Sequence, residues 1–274
     1  MRRRILLAGF LLLIVACVRA AEVPTPVATE PKVPPLLLDA LAKLSDDFDH
    51  WAYTETRVST DPNGKPNGET VVRFDPSKPY AEQYTPLKID GQSPTERQRK
   101  SYQTRGEKRG ERLARDEASG KTPGPDLPRL HLGGDNSAID LERASVASET
   151  DTAMTFNVPL RKDAYGTLPV EKLELLVRVN KARTALENVS LRVRESFRFK
   201  VFVKVKGGTA NVDFDAIDPK FAPVMTSMTG EGTASVLFIK FGGSFDMKRT
   251  DFRRVKPYSE RFGVKIGPLK ALEF

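Results

Sequence analysis

Residues 170 to 217 constrain the fold more than any other stretch, because apolar and polar side chains alternate through them with a period of two. Leu173, Leu175, Val177 and Val179 share one face, while Lys172, Glu174, Arg178 and Asn180 share the other, as in a half-buried strand. Val189, Leu191 and Val193 repeat the pattern. Phe197, Phe199, Val201, Val203 and Val205 continue it against Arg198, Lys200, Lys204 and Lys206. Gly207-Gly208 is then expected to reverse the chain into Val212, Phe214 and Ala216, since paired glycines between alternating runs signal a hairpin. The stretch predicts a large antiparallel sheet.

The same period sets in earlier. Leu37, Leu38, Leu41, Leu44 and Phe48 recur at helical spacing and predict a helix over 36–48 that packs on the sheet. From Trp51 the period is two, and turn-rich segments at 61–68 and 75–79 divide 51–89 into a three-stranded meander. Ser93-Pro94-Thr95-Glu96 reads as a capping box with proline at the first helical position. The helix it opens is rich in charge and poor in apolar residues. Gly106 and Gly110 each weaken such a helix by about 1 kcal/mol relative to alanine, so an exposed, frayed insertion is expected, or a surface for anionic headgroups or an acidic partner.

Further strands are predicted over 139–147, 152–160 and 224–228. Gly230-Glu231-Gly232 is read as another reversal, and 236–241 as a strand buried on both faces over part of its length. Asp251-Phe252-Arg253-Arg254-Val255 reads as a charged sheet edge. The runs amount to about eleven strands, and an open sheet of that size must curl. The expected fold is therefore mainly β (α+β), a curved antiparallel half-barrel packed on one or two helices. It occupies a single domain over 36–255, with a helical and loop insertion at 93–137 and a tail at 256–274.

The first 20 residues read as an export signal: Arg2, Arg3 and Arg4 precede an apolar run from Ile5 to Ala16, and small residues follow. Val18-Arg19-Ala20 before Ala21 fits ordinary cleavage. Ile14-Val15-Ala16-Cys17 fits lipidation of Cys17, and the two routes imply a periplasmic protein or an outer-membrane-anchored lipoprotein. Residues 21 to 35 are rich in proline and read as a tether. Cys17 is the single cysteine, so the folded domain must rely on its core rather than on disulfides. Four of the basic groups behind the formal charge of +8 lie in the leader, and the mixed remainder does not describe a nucleic-acid binder.

The WAYTETR strand after a helix (51–57) and the paired strands LELLVRVNKARTALENVSLRV (173–193) resemble the LolA-like superfamily of periplasmic lipoprotein carriers, acceptors and RseB-like regulators. That resemblance covers most of 36–255 and implies a curved sheet wrapped round helices beside an apolar cavity. It transfers no functional residue to a position in this chain.

No residue set names a reaction. His50 and His131 are the two histidines, no serine sits in a nucleophile elbow, and the 119–137 segment around His131 reads as a loop of lid-like length. Asp46, Asp47, Asp49 and His50 point in different directions, so neither a metal nor a cofactor is expected. The expected function is non-enzymatic. Leu191, Val193, Phe197, Phe199, Val201, Val203, Phe214 and Phe238 are the candidate lining for a lipid or acyl chain on the concave sheet face. The alternative is a filled core in a protein-interaction or assembly module of the envelope.

Overall fold

The computed structural model describes residues 33–45, 48–119, 138–165, 168–199, 203–236 and 239–261. Helix α1 (Pro35–Ser45) leads through a 3-10 turn into strands β1 (Trp51–Thr60), β2 (Pro66–Phe74) and β3 (Tyr84–Ile89). Helix α2 (Glu96–Ala118) follows. Then come β4 (Ser145–Glu149), β5 (Ala153–Asn157), the single turn α3 (Lys162–Tyr165), β6 (Leu173–Asn180), β7 (Ala185–Val193), β8 (Phe197–Phe199), β9 (Val203–Asp215), β10 (Val224–Val236) and β11 (Ile239–Arg254). All eleven strands belong to one curved antiparallel sheet, which is not closed. Its order is β3-β2-β1-β11-β10-β9-β7-β6-β5-β4, with β8 paired to β9.

β11 was expected at an edge and instead lies in the interior of the sheet. β1 pairs with it from Trp51↔Arg254 to Thr60↔Ser244, and β10 takes its other side. Its charges are absorbed by neighbours rather than left to repel a second chain. Arg249 is bonded to Glu55 at 3.1 Å and lies over the Tyr53 ring, and Arg254 lies over Phe221 at 3.5 Å.

The glycine pairs read as reversals also lie inside strands. β9 and β10 each run 13 residues and β11 runs 16, and Gly208, Gly232 and Gly243 stand directly opposite one another across them. Glycine is required here for close approach rather than for a turn. A Cβ on Gly243, whose φ is +135°, would lie 2.1 Å from the Thr60 carbonyl oxygen, and one on Gly242 would lie 2.0 Å from that of Gly232. A bulge places Lys206 as an extra residue between Gly207↔Thr233 and Val205↔Ala234. That bulge returns Val203 and Val205 to the face that carries Val212 and Phe214.

One face of the sheet is apolar in continuous rows. Phe156, Val177, Val189, Val212, Met228 and Met247 stand opposite one another across six strands, and the row ends at Arg57 on β1. α1 packs on this face against β6 and β7. Leu37 and Ala40 are fully buried and Leu41 and Leu44 nearly so, which matches their spacing along one helical stripe. Lys43, in the last turn, donates to the Arg183 carbonyl. The opposite face is polar. Asp213 accepts from Asn188 Nδ2 at 2.7 Å and from the Ser227 hydroxyl at 2.6 Å, and Glu174 binds Arg192 and Arg194.

α2 differs from the expected exposed and frayed helix. Its N-cap is Thr95, two residues beyond the predicted Ser93, and the capping box closes on Gln98, whose side chain accepts from the Thr95 amide at 2.8 Å. Its interior is docked. Gly106, Arg109 and Gly110 are buried against the 3-10 turn Tyr80–Glu82 and β3. A Cβ on Gly106 would lie 1.9 Å from the Tyr80 carbonyl oxygen, so these two glycines form the seat of the helix and the propensity they forfeit allows backbone contact.

Candidate ligand-binding site

The sequence-derived lining residues fall into three groups. Phe214 is 4 % exposed and belongs to the core beneath α1, about 35 Å along β9 from Val203 at 3.3 Å per residue. Leu191 is half-buried at the rim of that core. Val193, Phe197 and Val203 occupy the far part of the same face. Val193 stands on the β7 end, its Cγ2 3.9 Å from the Cβ position of Gly208, and Phe197 pairs with Val205, which pairs in turn with Ala234. Phe197 is buried, while Val193, Val203 and Val205 are half-buried. Phe199 is placed only by its register opposite Val203. Val201 and Phe238, with the leader, Cys17, the tether up to residue 32, His131 and the tail from 262, lie outside the described residues.

Between the α1-covered core and this far strip lie two rows of small residues, Ala210 opposite Gly230 and Gly208 opposite Gly232 opposite Gly243. The Phe245 ring leans across the first of these, 2.5 Å from where a Cβ on Gly230 would stand. The floor of the second row is backbone. The far strip therefore joins the core through a shallow band with no bulky side chain of its own on β9 or β10.

Under α1 the face is closely packed. The space beside Leu44, Trp51, Tyr53, Met225 and Phe252 amounts to about 20 Å³, room for about one water and far too little for an acyl chain. Its charged lining residue is Arg249, which pairs with Glu55, their side chains 10 % and 17 % exposed. Tyr53 sits against it. Burial pushes the Tyr53 phenol well above its ordinary value of 10.0, against the opposing pull of Arg249.

A second, open concavity runs along α2. It is a shallow groove of about 670 Å³ lined by Tyr84 of β3 and, on α2, by Ser101, Thr104 and six cations: Arg97, Lys100, Arg105, Lys108, Arg109 and Arg112. No lining residue is acidic. Arg105 lies over the Tyr84 ring at 4.4 Å. Arg109 is the buried member, donating to Gln83 Oε1 at 2.9 Å and to Asp49 Oδ1 at 2.7 Å. Sequence reasoning registered the charge of this helix but missed its groove, and the Gly106-x-x-x-Gly110 spacing was the signal available.

The acidic cluster before β1 is divided among other partners. Asp49 is held by Arg109 and His50 Nε2 contacts Glu260 at 2.8 Å, while Asp46 and Asp47 lie outside the described residues. Among the described residues no group of three or more potential ligands could hold a metal ion, and no helix is long and apolar enough to cross a membrane.

The fold and these surfaces define a class: an open, curved antiparallel-sheet protein whose apolar face is partly covered by a helix, with a basic groove on a second helix. No protein-family model and no curated protein matches the sequence. Among solved structures the chain is similar to a LolA superfamily protein, NE2245 from Nitrosomonas europaea, at 11% identity and a TM-score of 0.35, covering 82% of this chain and 94% of that one. A likeness of that degree assigns neither a residue role nor a ligand.

Proposed function

We propose that the chain is a non-enzymatic binding protein of the bacterial cell envelope that holds a lipid or acyl chain against the sheet face beyond α1. The observation that carries this reading is the far apolar strip. Val193, Val203 and Val205 continue the core face in register, yet remain half-buried where the core residues beneath α1 are closed to solvent. An apolar strip over a glycine floor admits a narrow chain lying along the backbone. The filled space under α1 favours this location over a pocket beneath the helix, because an acyl chain there would have to displace Leu37, Leu41 and Leu44.

The test is native mass spectrometry with lipid extraction on the protein exported to a bacterial periplasm. Lipid at near-unit stoichiometry, lost in a folded Val193→Glu or Val203→Glu variant, is the expected result. A lipid-free protein that excludes apolar dyes would instead support a filled core and a role as an interaction module.

A further inference from the structure

We propose that the basic groove and outer ridge of α2 form a docking surface for the anionic headgroups of a phospholipid membrane. This inference is independent of whether the sheet face holds a lipid, since it concerns a different element and a different chemistry.

The first support is the order imposed on the helix. α2 is anchored by Gly106 and Gly110 against Tyr80 and by Arg109 between Gln83 and Asp49, so its orientation is fixed by contacts on one side. At 3.6 residues per turn, Arg97, Thr104, Lys108 and Arg115 lie about 160 to 180° round the axis from Gly106. The ridge they form faces away from the body of the protein. Arg112 and Ser101 flank it on the groove side. The other flank carries Glu111 next to the ridge, then Lys100, and beyond it Glu107, which is bonded to Gln103.

The second support is the distribution of charge. Five of the six cations lining the groove are exposed, and they extend along the helix from Arg97 to Arg112, about 22 Å. A compact anion would engage one or two of them. A plane of many singly charged headgroups can engage the whole row at once, and each added Lys or Arg near such a surface raises partitioning about fivefold. The ridge carries no apolar or aromatic side chain for insertion or base stacking. Tyr84, the one aromatic in the groove, is covered by Arg105. That composition favours a peripheral, salt-sensitive contact with headgroups over a contact with single-stranded nucleic acid.

The experiment is co-sedimentation of the full chain with phosphatidylcholine vesicles, with and without phosphatidylglycerol, at low and high salt. The unaltered protein should gain bound fraction when phosphatidylglycerol is present, and high salt should remove the gain. The Lys100→Gln/Lys108→Gln/Arg112→Gln variant should lose about 100-fold in that phosphatidylglycerol-dependent partitioning. A charge-matched Lys65→Gln/Lys220→Gln/Lys256→Gln variant should keep it. Circular dichroism and a melting curve establish that both variants are folded. The proposal is overturned if phosphatidylglycerol adds no binding, if the α2 variant partitions like the unaltered chain, or if the control variant loses as much. It is also overturned if inorganic phosphate or polyglutamate, at matched ionic strength, displaces the protein from the vesicles, since the groove would then prefer a soluble anion.

Discussion

Arg109 and Asp49, 60 residues apart in sequence, meet at 2.7 Å, and through that pair α2 is tied to the turn that starts β1. The guanidinium is 8 % exposed and also donates to Gln83, whose side chain amide in turn donates to the Lys78 carbonyl at 3.0 Å. Replacing Arg109 by methionine leaves Asp49 and Gln83 without this donor. The expected cost is about 2–3 kcal/mol, below the full cost of breaking a buried pair because Asp49 is one-third exposed. A lowered urea midpoint together with earlier proteolysis within 96–118 would establish it.

Gly106→Ala reverses the ordinary effect of that substitution. In an exposed helix it stabilises by about 1 kcal/mol, whereas here the new methyl meets the Tyr80 carbonyl and should destabilise by about 2 kcal/mol. Gly110→Ala meets the Tyr80 ring, which can shift, and should cost less. A thermal melt that ranks Gly106→Ala below Gly110→Ala and the unaltered chain would bear this out. A rise in melting temperature for Gly106→Ala would count against the docked helix.

α1 gives an internal contrast between adjacent leucines. Leu37 is fully buried and Leu38 is 49 % exposed. Leu37→Ala should cost about 3 kcal/mol through the cavity it opens against β6 and β7, and Leu38→Ala less than about 0.5 kcal/mol. Chemical denaturation of the two variants provides the comparison.

Stability should fall on both sides of neutrality through named groups. The Arg194 hydrogen bond, opposed by burial and aided by Arg192, holds the Glu174 carboxyl below its ordinary value of 4.5. Burial raises Asp75, but the Ser77 hydroxyl and amide and Arg253 outweigh it and hold that carboxyl below 3.8. Both bind protons more weakly folded than unfolded, so their stabilisation is complete above those ordinary values and is lost as pH falls through the lowered ones. Glu174→Gln should flatten the acid limb by about 1 kcal/mol or less, because both arginines are about half exposed. Tyr53 acts with the opposite sign. Its raised folded pKa makes its contribution complete below pH 10.0 and lost progressively as pH rises beyond, a limb that Tyr53→Phe should remove. Denaturation midpoints across pH test both limbs.

Local periodicity carried the strands with a clean polar face. Leu173 to Val179 needed only their own alternation, and α1 only the spacing of Leu37, Leu41 and Leu44. What stayed hidden was non-local. Gly207-Gly208 has the sequence of a hairpin, and only its pairing with Thr233 and Gly232 on β10 shows a strand running through it. β11 carries the charges of an edge because the partners that neutralise them, Glu55 and the Tyr53 ring, lie almost 200 residues away. For the candidate site, alternation read Phe197 to Val205 as one run, whereas the chain reverses between β8 and β9 and it is the antiparallel pairing Phe197↔Val205 and Phe199↔Val203 that puts them on one face. That Phe214 belongs to the core cluster on which α1 packs could not be read either, since a helix spacing states that a stripe is buried and leaves open which strands it covers.

The strand order has a consequence for how the chain could be cut. The two outermost strands, β3 and β4, are neighbours in sequence, and the first and last strands, β1 and β11, lie side by side in the interior. Read from β4 through β11 and on from β1 to β3, the sheet becomes an uninterrupted up-and-down meander, with β8 its one side branch. The existing N- and C-terminal segments thus flank a junction that is internal to the meander, and the α2 insertion bridges its ends. The β1–β3 layer must wait for the last strand to be made before it can join the rest, which favours late, slow closure. A chain reopened between Ser119 and Ala138, and joined from the C-terminal segment to α1, would have every neighbouring pair of the main path adjacent in order of synthesis.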